Sequence, residues 1–321
     1  MTCLVTGAAG FIGCRLVVTL LRRGAAVAGF DNLCRGSLAN LRTALEEPNF
    51  TFRCVDLSDI DAYRKAFTEL HERTPITEVW HLAANSDIPA GAADPRVDLR
   101  DTFLTTLNSL ILMREFGVGV MAFASSSAIY GDHGVRSLRE DDGPLLPISS
   151  YGAMKLASEA AISAAVEAHL ERAFLFRFPN VIGTPATHGI IYDFVRKLRL
   201  TPSELNVLGD GTQQKSYLHV EELIDAMLLI RERARARLNY FNIGADDDGV
   251  TVKYIAEAVV ERCSPGATIV FGHGNRGWVG DVPRFKYSIE KLSALGWRPT
   301  LGSAAAIQRA VAEIADQEFA R

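Results

Sequence analysis

A run of spaced glycines near the start of the chain limits the fold more than any other feature. The segment Gly7-Ala8-Ala9-Gly10-Phe11-Ile12-Gly13 directly follows the apolar stretch Cys3-Leu4-Val5 and leads into an amphipathic segment at 11–21. Glycines at this G-x-x-G-x-x-G spacing permit a tight turn, a close approach of the backbone to a ligand, and packing of a helix on a strand. The sequence therefore predicts a strand, a glycine turn and a helix whose free N–H groups face the phosphates of a dinucleotide.

Short apolar segments alternate with helical ones through the first half of the chain. Strands are predicted at 3–5, 26–30, 52–55, 79–82 and 120–124, and helices at 11–21, 60–70 and 102–116. Strands that alternate with helices of this length are typical of right-handed β-α-β units and a parallel sheet. The predicted fold class is therefore α/β, a doubly wound parallel sheet of the Rossmann type.

Beyond residue 178 the segments become shorter, and proline and glycine interrupt them more often. This change predicts a second, smaller part of the molecule. We expect residues 1–178, with returns near 212–244, to form the dinucleotide-binding domain. Residues 179–321 are expected to form mainly an interleaved C-terminal lobe that binds the substrate.

The charge balance and the cysteine content exclude several classes of protein. The chain has 34 Lys and Arg against 38 Asp and Glu, so the net charge of -4 leaves no basic excess for a nucleic acid. No run reaches the roughly 18 apolar residues needed to span a bilayer, so no membrane partner is expected. The five cysteines form no C-x-x-C pair and the histidines form no zinc motif, which predicts free thiols, no metal and a cytoplasmic location.

Asp31 ends the second predicted strand, 18 residues after Gly13. A carboxylate at this point can accept hydrogen bonds from an adenosine ribose and repels a 2′-phosphate, so the predicted cofactor is NAD rather than NADP. Residues that follow the neighbouring strands are expected to contribute further contacts. The predicted NAD-binding residues are Gly7, Gly10, Phe11, Ile12, Gly13, Asp31, Asn32, Asp56, Leu57, Leu82, Ala83, Ala84, Tyr151 and Lys155.

Tyr151 and Lys155 are four residues apart and therefore lie on one face of a predicted helix. A Lys ammonium near a phenol, with a cationic nicotinamide close by, stabilises the phenolate and lowers the phenol pKa. Tyr151 is thus a candidate general base. Ser126 follows the fifth strand, at the sheet edge where ligands bind in such folds, and we expect its hydroxyl to bond the substrate oxygen that Tyr151 deprotonates.

Taken together, these motifs resemble the extended short-chain dehydrogenase/reductase family. The matching segments are Gly7-x-x-Gly10-x-x-Gly13, Asp31, Ser126-x-x-Ile129-Tyr130-Gly131, Tyr151-x-x-x-Lys155, Arg177-x-x-Asn180-Val181-x-Gly183, Gly209-Asp210-Gly211 and Gly296-Trp297-x-Pro299. The resemblance covers nearly the whole chain. Within the family, the chain is most similar to UDP-glucose (UDP-galactose) 4-epimerases of the archaeal-type branch.

The resemblance implies an NAD-dependent isomerase that oxidises C4 of a nucleotide sugar to a transient 4-keto intermediate and returns the hydride to the opposite face. It implies that Tyr151 takes the proton of the 4-hydroxyl, that Ser126 orients this hydroxyl and that Lys155 holds the cofactor ribose. It also implies a homodimer formed through helices near 102–116 and 151–168. The substrate, expected to be UDP-linked, is assigned to Ser126, Ser127, Tyr151, Asn180, Lys215, Tyr217, Arg276 and Asp281.

Other activities remain open at the loop after the fifth strand. Family 4,6-dehydratases carry an Asp-Glu pair where this chain has Ser127-Ala128, and family UDP-glucuronate decarboxylases carry Glu in place of Ala128. The missing acid favours epimerisation, because C5 deprotonation lacks a base. A UDP-glucuronate 4-epimerase or another nucleotide-sugar oxidoreductase or dehydratase stays an alternative, whereas the Tyr151 and Lys155 pair argues against a non-catalytic NAD-sensing protein.

Overall fold

The computed structural model describes residues 2–134, 136–274 and 284–320. These residues form two compact units. The first unit contains the residues up to Tyr130 together with Pro144–Arg177 and Met227–Phe241. The second contains Gly131–Gly143, Phe178–Ala226 and the residues from Asn242 onward.

Strands and helices alternate along most of the chain. The strands are β1 (Thr2–Thr6), β2 (Ala26–Asp31), β3 (Phe50–Cys54), β4 (Ile76–His81), β5 (Val120–Ala124), β6 (Ser137–Leu138), β7 (Arg172–Arg177), β8 (Asn180–Ile182), β9 (Glu204–Val207), β10 (Gln214–Lys215), β11 (Tyr217–His219), β12 (Leu238–Asn242), β13 (Val250–Thr251), β14 (Thr268–Phe271) and β15 (Arg284–Tyr287). The α-helices are α1 (Phe11–Arg22), α2 (Arg42–Leu45), α3 (Ile60–Arg73), α4 (Ile88–Ala93), α5 (Pro95–Asp98), α6 (Thr105–Glu115), α7 (Ser150–Ala168), α8 (Ile190–Leu200), α9 (Val220–Arg233), α10 (Val252–Cys263), α11 (Glu290–Ala294) and α12 (Ser303–Phe319).

The first unit is built on a seven-stranded sheet with the order β12-β7-β5-β4-β1-β2-β3. The pairs from β7 through to β3 are all parallel. The chain leaves β1 in one direction toward β3 and then returns to β4 and continues in the other direction. A crevice therefore opens at the carboxyl ends of β1 and β4, which is where ligands bind in open α/β sheets. The predicted α/β, doubly wound class is confirmed.

The core of the first unit explains why its central strands read as continuous apolar runs. All five residues of β1 and all five of β5 are buried, as expected for parallel strands covered by helices on both faces. Leu4, Phe30, Phe67, Phe123 and Leu175 belong to one apolar cluster. This rigid core fixes the positions of the strand ends.

Several strands differ from the sequence-based expectation. Strand β4 spans Ile76–His81 rather than residues 79–82. Strand β3 begins at Phe50 rather than at residue 52, and it lies at the sheet edge with most of its residues only half-buried or exposed, so its apolar signal is weak. No strand is predicted at β7 or β12, although both lie within the residues expected to form this domain, 1–178 with returns near 212–244. β12 joins the sheet from a distant part of the chain, and local periodicity carries no information about such pairing.

The second unit contains three small sheets and a group of packed helices. Its sheets have the orders β13-β10-β15-β6, β11-β8 and β14-β9. Phe194, Ile255 and Ile307, from α8, α10 and α12, share one apolar cluster. Across the part of the chain that the structure describes, no helix is both long and apolar enough to cross a membrane.

Candidate active site

The turn between β1 and α1 depends on the absence of side chains. Gly7 has a φ of +67°, and a Cβ atom there would lie 2.9 Å from the backbone nitrogen of Ala83. A Cβ atom on Gly13 would lie 2.0 Å from the carbonyl oxygen of Gly7. Gly10 precedes α1 and provides no side-chain cap, and the first turn carries no acidic residue. The helix therefore begins with backbone N–H groups that an anionic ligand can reach, which fits the pyrophosphate of a dinucleotide.

Asp31 lies at the end of β2 beside this turn. Its carboxylate accepts hydrogen bonds from the backbone N–H groups of Ala9 at 3.0 Å and Leu33 at 2.7 Å. Burial raises the pKa of Asp31, and these two hydrogen bonds oppose the effect. A carboxylate has about four acceptor positions, so Asp31 keeps acceptor capacity for the ribose hydroxyls. The turn and the carboxylate together fit NAD.

The end of β4 is held against β1 by one hydroxyl group. Thr6 Oγ1 accepts hydrogen bonds from the backbone N–H groups of Leu82 and Ala83, each at 3.2 Å. The predicted cofactor residues Leu82, Ala83 and Ala84 are half-buried, as are Phe11 and Ile12. This contact places the segment after β4 directly beside the glycine turn.

The other cofactor candidates occupy the neighbouring strand ends. Asn32 is exposed and its Oδ1 accepts a hydrogen bond from the Cys34 backbone. Asp56 is also exposed and accepts hydrogen bonds from the backbone and the hydroxyl of Ser58. Leu57 is buried. Contacts of these three residues with the adenosine stay a prediction.

Helix α7 brings the catalytic candidates together. The Ser149 hydroxyl caps its first turn by accepting a hydrogen bond from the Gly152 N–H, which fixes where the helix begins. In that first turn, the Tyr151 hydroxyl lies close enough to the Ser126 hydroxyl for Ser126 to lower its pKa. A turn later, Lys155 Nζ donates to the carbonyl oxygen of Ala124 at 2.6 Å. The three residues therefore meet at the carboxyl end of β5.

Burial sets the pKa values of Tyr151 and Lys155 in the protein alone. Burial raises the pKa of Tyr151 to about 12, with a smaller contribution from Asp98, while the Ser126 hydrogen bond lowers it. Burial also lowers the pKa of Lys155 to about 7, against the attraction of Glu159 and Asp98. The predicted lowering of the Tyr151 pKa requires Lys155 together with a cationic nicotinamide, so it stays a prediction for the enzyme with its cofactor. The Lys155 amine donates to a backbone carbonyl and lies 5.8 Å from the centre of the Tyr151 ring.

Sequence reasoning did not single out a buried ionic group beside Lys155. Glu159 accepts two hydrogen bonds from Arg177, from Nε at 3.0 Å and Nη2 at 2.7 Å, and a third from the Ser125 hydroxyl at 2.5 Å. Arg177 Nη1 donates in turn to the Tyr130 hydroxyl at 3.0 Å. The helical spacing could have identified Glu159 from the sequence, because it lies four residues after Lys155 and therefore on the same face of the helix.

A second buried carboxylate, Asp98, was also missed. It is fully buried, and its Oδ1 accepts a hydrogen bond from Asn85 Nδ2 at 2.8 Å. Thr102, which follows in a short π-helical segment, is nearly as buried and accepts a hydrogen bond from the Asn85 backbone at 3.1 Å. A single acidic residue in a loop-rich stretch gives no sequence signal of such burial.

The substrate candidates are distributed over both units. Ser127 opens a 3-10 turn directly after Ser126 in the first unit. In the second unit, Asn180 and Tyr217 occupy neighbouring positions of the parallel β8–β11 pair, and Lys215 ends β10 two residues earlier. Two further candidates, Arg276 and Asp281, lie outside the described residues.

We found no group of three or more His, Cys, Asp or Glu side chains placed to hold a metal ion within residues 2–134, 136–274 and 284–320.

Comparison with known proteins identifies relatives along nearly the full chain. A UDP-glucose 4-epimerase from Lacticaseibacillus casei is 30% identical over 319 residues, covering 93% of this chain and 92% of that protein. A UDP-glucuronate 4-epimerase from Thermodesulfobacterium geofontis is 29% identical over 265 residues, covering 81% and 79%. The structure of the Thermus thermophilus UDP-glucose 4-epimerase in complex with NAD is 31% identical, with a TM-score of 0.83 over 98% of this chain and 99% of that one.

The sequence model of one family matches residues 3–244, and its description is the NAD dependent epimerase/dehydratase family. This match and the relatives confirm the resemblance inferred from the motifs, the NAD cofactor and nucleotide-sugar 4-epimerisation as the type of reaction. The glycine turn, the buried aspartate and the Tyr151-x-x-x-Lys155 helix occur on the fold of that family, and the chain belongs to the NAD dependent epimerase/dehydratase family.

Proposed function

We propose that this enzyme interconverts UDP-glucose and UDP-galactose by inverting C4 of the sugar. The proposal rests above all on the placement of Tyr151 beside Ser126 at the end of β5, because it pairs a candidate base with a candidate orienting hydroxyl. Both residues lie at the same sheet edge as the glycine turn. The 30% identity to the Lacticaseibacillus casei UDP-glucose 4-epimerase favours this sugar pair.

The cofactor residues divide the work of holding NAD. When bound, NAD supplies a hydride acceptor, and afterwards a donor, at C4 of the sugar. The N–H groups at the start of α1 hold the pyrophosphate, and Asp31 accepts hydrogen bonds from the adenosine ribose. Lys155, buried beneath this position, donates to the second ribose.

Tyr151 and Ser126 handle the proton. The Tyr151 phenolate oxygen accepts the proton of the 4-hydroxyl, and Ser126 donates a hydrogen bond that fixes the orientation of this hydroxyl. Because burial raises the pKa of Tyr151 to about 12, the phenolate must be stabilised by positive charge once the site is filled. Lys155 and the cationic ring of the cofactor are the groups that provide it.

In the second unit, we assign the nucleotide to the candidates on its small sheets. Asn180 is exposed at the start of β8, and a side-chain amide there can donate to a diphosphate. Lys215 supplies a positive charge for the same group, although without the two-pronged geometry of an arginine. Tyr217 and the undescribed Arg276 and Asp281 complete the proposed substrate set.

The test is to incubate the purified protein, with no added cofactor, with UDP-galactose, UDP-glucose and UDP-glucuronate separately and to follow the products by proton NMR. Interconversion of the first two supports the proposal and shows that NAD copurifies. Turnover of UDP-glucuronate alone would replace it with the activity of the Thermodesulfobacterium geofontis relative. If nothing reacts even with NAD supplied, the substrate assignment is wrong.

We further propose that the enzyme is a homodimer. Leu99 and Ile111 are 49% and 41% exposed, and the half-buried Phe103 and Leu107 lie between them at intervals of four residues. This spacing makes one apolar stripe, which a second copy of the same helix can cover about a two-fold axis. Sedimentation should show a dimer that Ile111→Glu weakens, whereas the control Leu200→Glu, at another exposed leucine, should leave it intact.

A cytoplasmic location is proposed as well, because all five cysteines are free thiols and a reducing compartment preserves them. Fractionation of cells that produce the tagged protein tests this.

A further inference from the structure

Helix α7 contacts three consecutive residues at the end of β5. Tyr151, Lys155 and Glu159 follow one another at intervals of one helical turn. Tyr151 lies beside Ser126, Lys155 donates to the Ala124 carbonyl, and Glu159 accepts from the Ser125 hydroxyl. The third contact involves no group that the proposed reaction uses, yet it is one of the shortest hydrogen bonds at the site.

Glu159 also controls the other end of the segment that carries Ser126. Arg177 bridges Glu159 to the hydroxyl of Tyr130, and Tyr130 directly follows the turn Ser127–Ile129. The segment 125–130 is therefore fixed to Glu159 at both ends. Ser125 bonds Glu159 directly, and Tyr130 is connected to it through Arg177. Between these anchors, the Ser126 hydroxyl has a local contact with the Ala128 N–H at 3.1 Å.

We propose that Glu159 is a positioning residue for the epimerisation, which acts through Ser125 and Arg177 to hold the 125–130 segment where Ser126 meets Tyr151. This inference rests on the proposed function. A hydroxyl that orients a reacting group must be placed within a fraction of an ångström, and a shift of about 1 Å can cost a hundredfold in rate.

The charge of Glu159 contributes a second effect. Lys155 faces Tyr151 and Glu159 on its own helix, His81 on β4 and Asp98 at the end of α5. Of these, Glu159 and Asp98 raise the pKa of Lys155 while burial lowers it. His81 is neutral near pH 7, because burial and the nearby Lys155 lower its pKa to about 3. Removal of the Glu159 charge should therefore favour the uncharged form of Lys155.

A similar ionic group elsewhere in the first unit provides a matched control. Glu78 on β4 is 4% exposed and accepts two hydrogen bonds from Arg231, at 2.9 and 2.7 Å. It also accepts hydrogen bonds from Trp80 Nε1 at 2.9 Å and the Cys3 thiol at 3.1 Å. The two glutamates thus have comparable burial and partners, but no partner named here for Glu78 is a catalytic candidate.

The experiment compares Glu159→Gln with Glu78→Gln, and Ser125→Ala with Ser158→Ala. Ser158 is a fully buried serine of α7 whose hydroxyl donates to the Met154 carbonyl of the same helix, at 2.8 Å. We expect Glu159→Gln to lower kcat for UDP-galactose about 10- to 100-fold and Ser125→Ala about tenfold, with KM nearly unchanged. Glu159→Gln should also shift the pH profile of kcat. The two control variants should lose similar thermal stability yet keep kcat within about twofold of the wild-type value.

Ser125→Ala makes the test independent of folding, because it leaves the buried Glu159–Arg177 pair intact. A Ser125→Ala enzyme with wild-type kcat would overturn the inference, as would equal losses of kcat in Glu159→Gln and Glu78→Gln.

Amide hydrogen exchange of the peptide that covers residues 124–131 provides a readout without substrate. Exchange should become faster in Ser125→Ala and Glu159→Gln and stay unchanged in Glu78→Gln. If the wild-type enzyme turns over none of the sugars and this pattern appears, the proposed function fails while the positioning role stands. Unchanged exchange in Ser125→Ala would refute the positioning role.

Discussion

The glycine turn and the catalytic helix lie on the same sheet edge but are constructed in opposite ways. The turn can form only because its glycines lack side chains, since a Cβ atom on Gly13 would lie 2.0 Å from a backbone oxygen. On α7, the site exists because three long side chains project from one face toward the end of β5. Substitutions at the turn should therefore abolish cofactor binding, whereas removal of the Tyr151 hydroxyl on the helix should abolish chemistry and preserve binding.

The largest effect is expected from Gly13→Ala. The added methyl group meets the backbone of Gly7, which cannot move aside as a flexible side chain can, so the turn must shift. We expect loss of copurifying NAD, loss of activity and destabilisation by about 1–3 kcal/mol. Gly143→Ala is the control, because a Cβ atom there meets nothing within 4 Å. The measurements are the NAD content of the purified variant and its thermal unfolding. A normal NAD content in Gly13→Ala would show that the glycine turn is not needed for cofactor binding.

Tyr151→Phe tests the helix side of the comparison. The variant removes one hydroxyl and should lower kcat about 10²- to 10⁴-fold, because a general base is lost. NAD content and thermal stability should stay close to wild type, unlike those of the turn variant. Tyr254→Phe, which loses a surface hydrogen bond to Gln308, is the matched control. Simultaneous loss of NAD in Tyr151→Phe would show that the two regions are not separable.

Asp31→Ala examines a side chain that belongs to the turn. Loss of hydrogen bonds to a charged acceptor costs about 1.5–3 kcal/mol, so the affinity for NAD should fall about 10- to 100-fold. The preference for NAD over NADP should shrink, because the repulsion of a 2′-phosphate is removed. Titration of both cofactors, with Asp59→Ala as a control at the start of α3, measures this. An unchanged ratio of the two affinities would contradict the assigned role.

The sequence predicts both regions because their information is local. The glycine spacing, Asp31 after the second strand and the four-residue interval from Tyr151 to Lys155 all lie within one or two elements. Local spacing is enough to place such residues on a turn or on a helix face. It also predicts the parallel α/β class, since the alternation of elements carries that signal.

Long-range contacts lie beyond the reach of such reasoning. Arg177 bonds Glu159 and Tyr130 across 18 and 47 residues of sequence, and no periodic pattern encodes these pairs. The same holds for β12. The rise of the Tyr151 pKa in the protein alone lies beyond such reasoning for a related reason, because it is set by burial, and burial depends on the packed structure.

A final difference between the glycine turn and the catalytic helix concerns pH. Burial lowers the pKa of Lys155 to about 7 in the folded protein, whereas the pKa of a lysine in an unfolded chain is about 10.4. Between these values the unfolded chain binds a proton that the folded chain does not, so the free energy of unfolding rises with pH. Below about pH 7 both states hold the proton and the burial of the charge is unfavourable throughout.

In NAD-free protein, the stability difference between wild type and Lys155→Met should therefore shift in favour of wild type from about pH 7 to about pH 10. Lys253→Met, at an exposed lysine, should show no such trend, and urea unfolding at each pH provides the measurement. A flat difference for Lys155→Met would mean that the helix holds its lysine in a more water-like environment than its burial indicates. Lys155 would then carry its charge at neutral pH in the NAD-free enzyme.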